Sequence, residues 1–220
     1  MKRYYEAYEE RYKTVHREGL SWFSDNETGL IPAVMQKYGI AKETGILEIG
    51  CGEGRDAAAL LRNGYSVRAS DVSPAAVKYC QRRFPEFADS FFELDCVNGK
   101  LDESFDFIYA VAVLHMLVDD DDRNSFYSFI RDHLNIGGIA LIMSMGNGED
   151  EFSTDPNEAF ELRERMHDGK KLMVPATTCR VVSFKTLEKE ITEAGLELLE
   201  KGVTSIENEF DSIMYAVVKA

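Results

Sequence analysis

The 220-residue chain is 45% hydrophobic and 29% charged, the balance of a globular protein, and its length suits one well-buried domain rather than two ordinary ones. A net charge of −14 sets most of the surface against a phosphate backbone, so no nucleic-acid partner is expected, and no apolar run approaches a membrane span. The four cysteines form no Cys-x-x-Cys pair and have no histidine at zinc-ligand spacing, which leaves reduced thiols and no metal site as the expectation.

The residues after Lys2-Arg3 lack the apolar core of a signal peptide, so a cytoplasmic protein is expected. Over residues 4–18 the spacing Tyr4–Tyr8–Tyr12 predicts three rings one turn apart on one helix face, either docked on the body or forming a lid over a ligand. Trp22 follows, and Ile31-Pro32-Ala33 opens a second helix that Gly39 ends. From Gly45 short apolar runs alternate with helical ones. Strand 46–50 leads to helix 55–63, strand 66–70 to a helix opened by Ser73-Pro74, and then come strands 91–94 and 105–111. A turn at Leu114-His115-Met116 precedes a helix from Asp119–Asp122 to Leu134, its acids suiting the positive helix end better than a calcium loop. Gly137-Gly138 turns into strand 139–145. This alternation implies parallel strands with right-handed crossovers.

The rhythm pauses over 146–182, a stretch too long for a simple connection, in which a helix is predicted for Asn157–His167. Ser183 caps a last helix stopped by Gly195, and two strands near 196–203 and 212–218 are close enough for an antiparallel hairpin. The expected architecture is one domain spanning 1–220: a Rossmann-like, doubly wound α/β fold. Its mostly parallel seven-stranded sheet ends in the antiparallel hairpin, with 1–40 as a helical cap and 146–182 as a lid-like insertion.

The chemistry concentrates at strand ends. Glu48-Ile49-Gly50-Cys51-Gly52-Glu53-Gly54 is a strand that breaks into alternate glycines before a helix, an arrangement that lets a ligand approach the backbone and its amides closely. Nicotinamide enzymes favour Gly-x-Gly-x-x-Gly, whereas here the third glycine arrives one residue early. Glu48 would sit poorly beside a pyrophosphate and well beside an ammonium. Asp71 ends the second strand, where a carboxylate can accept from both ribose hydroxyls of an adenosine ligand. Asp95 ends the third and can accept from an exocyclic amine. Cys51 is a small residue inside the turn.

The ordered set of this glycine segment, Asp71, Asp95-Cys96, Phe105-Asp106-Phe107-Ile108 and Leu134-Asn135-Ile136-Gly137-Gly138 resembles class I S-adenosylmethionine-dependent methyltransferases. Within these, Gly54-Arg55-Asp56 followed by Asn63-Gly64-Tyr65 is similar to the tellurite-resistance and thiopurine-type group. The resemblance implies S-adenosylmethionine as cofactor and methyl transfer to a small molecule by in-line displacement. Glu48, Gly50 and Gly52 would contact its methionine part, Asp71 the ribose, and Asp95 with the Cys96 backbone the adenine, with Cys51 and Val72 also in the cofactor site. Ala112 and Val113 would close over it. His115, just beyond strand four, is the candidate general base. Tyr8, Tyr12, Trp22 and Arg180 are candidates for the acceptor side. The competing expectations are a cofactor-binding regulatory module without turnover and a nicotinamide-dependent oxidoreductase. Acceptor identity and oligomeric state stay open.

Overall fold

The alternating apolar runs assemble into one seven-stranded sheet with helices on both faces. The computed structural model describes residues 2–22 and 26–220; residues 1 and 23–25 lie outside the description. In chain order come α1 (Ala7–Arg17), α2 (Leu30–Tyr38), β1 (Gly45–Ile49), α3 (Arg55–Arg62), β2 (Ser66–Asp71), α4 (Pro74–Arg83), β3 (Phe91–Glu93) and β4 (Phe105–Val111). Then follow α5 (Asp120–His133), β5 (Leu134–Met145), β6 (Phe152–Ser153), β7 (Leu162–His167), β8 (Lys170–Pro175), β9 (Arg180–Val181), α6 (Phe184–Glu193), β10 (Glu197–Ile206) and β11 (Phe210–Lys219).

The sheet runs β10-β11-β5-β4-β1-β2-β3. Strands β5, β4, β1, β2 and β3 pair in parallel, and β11 lies antiparallel between β5 and β10. The strand order reverses between β1 and β4, and at such a switch point the crossovers diverge and leave a crevice beyond the strand ends. Side-chain alternation divides the core. Leu47, Ile49, Ile108 and Ala140 pack with Phe126 and Ile130 of α5 and Leu187 of α6, whereas Ile46, Phe107, Tyr109 and Leu141 pack with Val34 of α2, Ala58 of α3 and Val77 of α4.

Two expected elements take another form. Strand β5 begins at Leu134 rather than after the double glycine. Leu134 pairs with Phe105 and Ile139 with Phe107, so residues 135–138 form a bulge with Gly137 at φ +82° and Ile136 fully exposed. The helix predicted for Asn157–His167 is instead a short 3-10 turn, Pro156–Glu158, and the first arm of the β7–β8 hairpin. Asp168 and Gly169, at φ +47° and +74°, make its two-residue turn. An Asp-Gly pair between such arms is a strong hairpin signal, and it overrides the helical spacing of the charges before it.

The hairpin docks on the N-terminal helix: Leu172 and Val174 are buried against Val15 of α1. Arg11 of α1 ties it from the other side, its Nη2 donating to the Pro175 and Ala176 carbonyls at 2.8 and 2.9 Å. Cap and insertion thus touch one another. No helix among the described residues is long and apolar enough to cross a membrane.

Candidate functional site

Beyond the ends of β1, β2, β3 and β4 lies a cavity whose walls enclose, with the solvent at its mouth, about 1010 Å³. It is lined by the whole glycine segment from Glu48 to Glu53, by Asp71, Val72, Asp95 and Cys96, and by Val111, Ala112 and Val113. Tyr5, Tyr8 and Tyr12 close it from the N-terminal side, and Met116 and Leu117 from the loop after β4. Each strand ends where its apolar run meets a glycine or an acid, so motifs far apart in sequence converge on one rim.

The glycines are a backbone requirement. Gly50, Gly52 and Gly54 have φ of +71°, +55° and +79°, a region that other residues enter only with strain. A Cβ at Gly50 would collide with Val113, and one at Gly54 would come within 2.9 Å of Cys80 Sγ and of the Phe91 ring. The cradle is therefore shaped by the absence of side chains. Ala112 also adopts positive φ, +58°, at the point where the chain leaves β4 and turns over the cavity.

Asp71 braces the cradle. Its Oδ2 accepts from Gly52 N and its Oδ1 from Ser73 N, both at 2.8 Å. Burial pushes its carboxyl up to about 6, against the pull of those two amides. Glu48 follows the β1 alternation to the α3 face, where Tyr109 Oη donates to it at 3.0 Å. Burial, then the charge of Asp56, holds its carboxyl well above the usual range. An ammonium brought beside Glu48 would act the other way, favouring the carboxylate. Asp95 accepts from Val97 N at 2.9 Å, from Asn98 Nδ2 at 2.8 Å and from Tyr5 Oη at 3.0 Å. The Cys96 thiol is pushed by burial up to about 12, so it stays protonated.

The N-terminal segment is fastened to the strand ends one after another. Glu53, inside the glycine turn, accepts from Trp22 N at 2.8 Å and lies 2.8 Å from His16 Nε2. Glu9 accepts from Ala75 N at 2.9 Å and from Ser73 Oγ at the start of α4. Tyr5 reaches Asp95, and Tyr4 Oη donates to Asp122 at 2.7 Å while accepting from Val118 N. The tyrosine stripe differs from its expected form. Residues 4–6 form a 3-10 turn before α1, which rotates Tyr4 away toward α5 and brings Tyr5 into line with Tyr8 and Tyr12.

The remaining candidates lie elsewhere. His115 is buried outside the cavity wall, its Nδ1 3.4 Å from Met145 N and its ring edge-on to Phe210. Burial and then the charge of Arg123 lower it to about 4, so the ring is neutral at physiological pH. The 3-10 turn Leu114–Met116 sends Met116 toward the cavity and His115 behind it. Trp22 stacks on His167 at 5.0 Å and covers the Arg11 guanidinium at 4.5 Å, joining cap to hairpin. Arg180 is engaged with the Val118 carbonyl at 2.8 Å and with Asp120 at 2.6 Å. Neither Trp22 nor Arg180 lines the cavity. Glu53 and Tyr5 escaped the sequence reading. A charged residue inside a glycine turn must find a partner, and that was the available signal for Glu53.

A protein family described as Methyltransferase domain matches residues 46–138. The chain is 34% identical over 103 residues to Hemagglutinin 1 of Eikenella corrodens, a match covering 44% of this chain and 33% of that one. It is 23% identical over 129 residues to the probable S-adenosyl-L-methionine-dependent methyltransferase TehB of Haemophilus influenzae, covering 57% of this chain and 44% of TehB. The matched region thus spans less than half of either relative. In three dimensions the chain is similar to an S-adenosylmethionine-dependent methyltransferase from Clostridium acetobutylicum, with a TM-score of 0.66, 17% identity and 98% of each chain covered. Motif order, a sheet with β11 inserted antiparallel and the family match agree: residues 46–138 match a methyltransferase domain, and the fold is that of the class I S-adenosylmethionine-dependent methyltransferases.

Proposed function

We propose that this chain binds S-adenosylmethionine in the strand-end cavity and transfers its methyl group to a small-molecule acceptor. The observation that carries this reading is the convergence of Glu48, Asp71 and Asp95, from three successive strand ends, on one cavity with a side-chain-free glycine cradle. The cradle fits the ligand chemically. Glu48 would take the ammonium of its methionine part, with Gly50, Cys51 and Gly52 close by. Asp71 and Val72 would take the ribose, and Asp95 and Cys96 the adenine. Ala112 and Val113 would cover the group to be transferred.

When bound, S-adenosylmethionine supplies an already activated methyl group. The chain's own contribution is then mainly positioning, which can supply about 7–11 kcal/mol of a barrier. Val113 and the three phenols narrow the cavity around the place of transfer. The rings of Tyr8 and Tyr12 line the cavity beside it. The His115 expectation is not carried into this proposal, because a buried ring outside the wall cannot reach a proton in the cavity. The cap over 1–40 and the insertion over 146–182, joined through Val15, Leu172 and Val174, form the acceptor side of one domain.

Calorimetric titration with S-adenosylmethionine and S-adenosylhomocysteine tests the reading, and absence of binding by both at millimolar concentration would sink it. Formation of S-adenosylhomocysteine against a metabolite panel separates an enzyme from a binding module. Asp71→Ala is expected to weaken binding by about 1–3 kcal/mol, through lost hydroxyl contacts and the stranded Gly52 and Ser73 amides.

Asp71 also predicts two opposite pH dependences. Its carboxyl is raised from an ordinary 3.8 to about 6, so the protonated form favours the folded state. The stability it lends the ligand-free protein is present below pH 4 and disappears as pH rises through 6, by about 3 kcal/mol at most. Ribose binding needs the carboxylate, so S-adenosylhomocysteine affinity should instead increase over the same interval. Thermal unfolding and titration between pH 5 and 7.5, compared with Asp71→Asn, check both signs. Identical pH profiles for the variant and the natural protein would refute the ribose role.

A further inference from the structure

We propose that the acceptor atom is an amine nitrogen, uncharged when it attacks and cationic when the methyl group has arrived. The proposal rests on the methyltransferase reading above and extends it to the acceptor, through the charge balance of the cavity wall and its lack of an uncommitted base.

The wall carries more negative charge than it neutralises. Asp71 and Asp95 are held by backbone amides, the Asn98 amide and the Tyr5 hydroxyl, and neither is ion-paired among the described residues. Of the two arginines on the wall, Arg55 already faces Asp56 and Glu209, and Arg83 lies over the ring faces of Tyr79 and Phe84. The chain as a whole carries −14, so the long-range field gathers cations and repels anions. S-adenosylmethionine brings a single net positive charge, its sulfonium, because its ammonium and carboxylate cancel. An acceptor entering as thiolate, phenolate or carboxylate would add an anion beside two unpaired aspartates. It would lose the like-charge penalty only in the transition state, after meeting it on binding.

A neutral alcohol fails for a different reason: its proton must leave during attack, and every carboxylate of the wall is already committed. Glu48, Asp71 and Asp95 are committed to the cofactor, Glu53 to His16 and Trp22 N, and Asp56 to Thr28. Among the described residues no histidine lines the cavity, and His115 is sealed behind it. The phenols are poor bases because they stay protonated. Burial, and then Asp95, raises Tyr5; burial, and then Asp71 and Glu53, raises Tyr12. An amine avoids both difficulties. Its nitrogen lone pair forms the N–CH3 bond as the C–S bond breaks, the bonding pair stays on sulfur, and the positive charge passes from sulfur to nitrogen. The proton on nitrogen leaves afterwards to water. Net charge in the cavity is constant throughout, so an acidic wall that favours the sulfonium also favours the product ammonium. Tyr8 and Tyr12, with Met116 and Leu117, give the apolar body of that amine a matching wall.

The test reads cavity charge directly, without knowing the acceptor. Sinefungin places an ammonium where the methylated sulfonium stands, whereas S-adenosylhomocysteine has a neutral thioether there. Calorimetry on the full chain at pH 7.5 should find sinefungin binding at least fivefold more tightly; a smaller ratio, or a reversed one, overturns the proposal. In parallel, S-adenosylhomocysteine formation is followed with benzylamine, phenethylamine and tryptamine against thiophenol, benzoate and phenylacetate. Turnover of amines supports the proposal, and turnover of the anionic acceptors alone overturns it. If none of the six reacts, the affinity ratio decides. If neither cofactor analogue binds, the methyltransferase reading itself falls, which separates that failure from this one.

Discussion

Replacing Arg123 with leucine should destabilise the fold by about 3–5 kcal/mol, the cost of breaking a buried ion pair from one side. Arg123 is 1% exposed and sends its Nε and Nη2 to the two oxygens of Glu190 at 2.8 and 2.7 Å. Its Nη1 donates to the Leu114 and Leu117 carbonyls at 2.9 and 3.2 Å, so the same side chain holds the turn that brings Met116 and Leu117 to the cavity. Thr178 and Arg180 hold the Met116 and Val118 carbonyls from the insertion. The substitution therefore leaves Glu190 with Tyr127 Oη and the more distant Arg180 Nη2 at 3.8 Å, and removes the side-chain donor from the Leu117 carbonyl, while Leu114 O keeps Leu117 N. Urea unfolding measures the loss, and a cost below about 1 kcal/mol would show that the turn is held by its other contacts. Arg123→Leu combined with Glu190→Leu should recover part of it, since no lone charge then remains.

Gly50→Ala should cost about 2–5 kcal/mol, from about 1–2 for a left-handed backbone and about 1–3 for overpacking. The backbone part follows from φ +71° and the packing part from the collision with Val113. Either outcome of the clash damages the cradle: the turn opens, or Val113 is pushed off the place of transfer. S-adenosylhomocysteine affinity should fall more than tenfold even where the variant remains folded, as seen by calorimetry beside a thermal melt. Val113→Ala in the same chain should restore the packing part alone. Full recovery by that second change would mean that the backbone conformation contributes nothing.

Both predictions concern contacts of different range, and range decides what could be read in advance. The glycine cradle, Asp71 and Asp95 were legible because a strand, its terminal acid and the following turn are consecutive residues. The fold class followed in the same way, since alternating strand and helix runs restrict the crossovers to one hand. Arg123 and Glu190 lie 67 residues apart. A trace of their burial was available: Arg123 shares helical spacing with Phe126 and Ile130, and Glu190 neighbours Leu187 and Ile191, all core residues. Spacing alone could place them inward and could not pair them.

Some local readings failed because competing local rules were closely balanced. One 3-10 turn at residues 4–6 was enough to exchange Tyr4 for Tyr5, a change of phase that periodicity at 3.6 residues per turn cannot anticipate. The segment 157–167 had acceptable helical spacing, and the Asp168-Gly169 turn decided for a hairpin that gains its burial on α1. His115 and Met116 are adjacent, and the direction of one tight turn sends the methionine to the cavity and the histidine behind it.

By itself, then, the sequence determined the parallel sheet, the glycine turn and the acids that end the first three strands, because each is set by neighbouring residues and by the stereochemistry of short connections. Only the tertiary structure decided what stands opposite them. The phenols over the cavity, the Glu53 contacts to the cap, the turn held by Arg123 and the exclusion of His115 all depend on packing between segments tens of residues apart. Local propensity carries no information about such pairs until the core has brought them together.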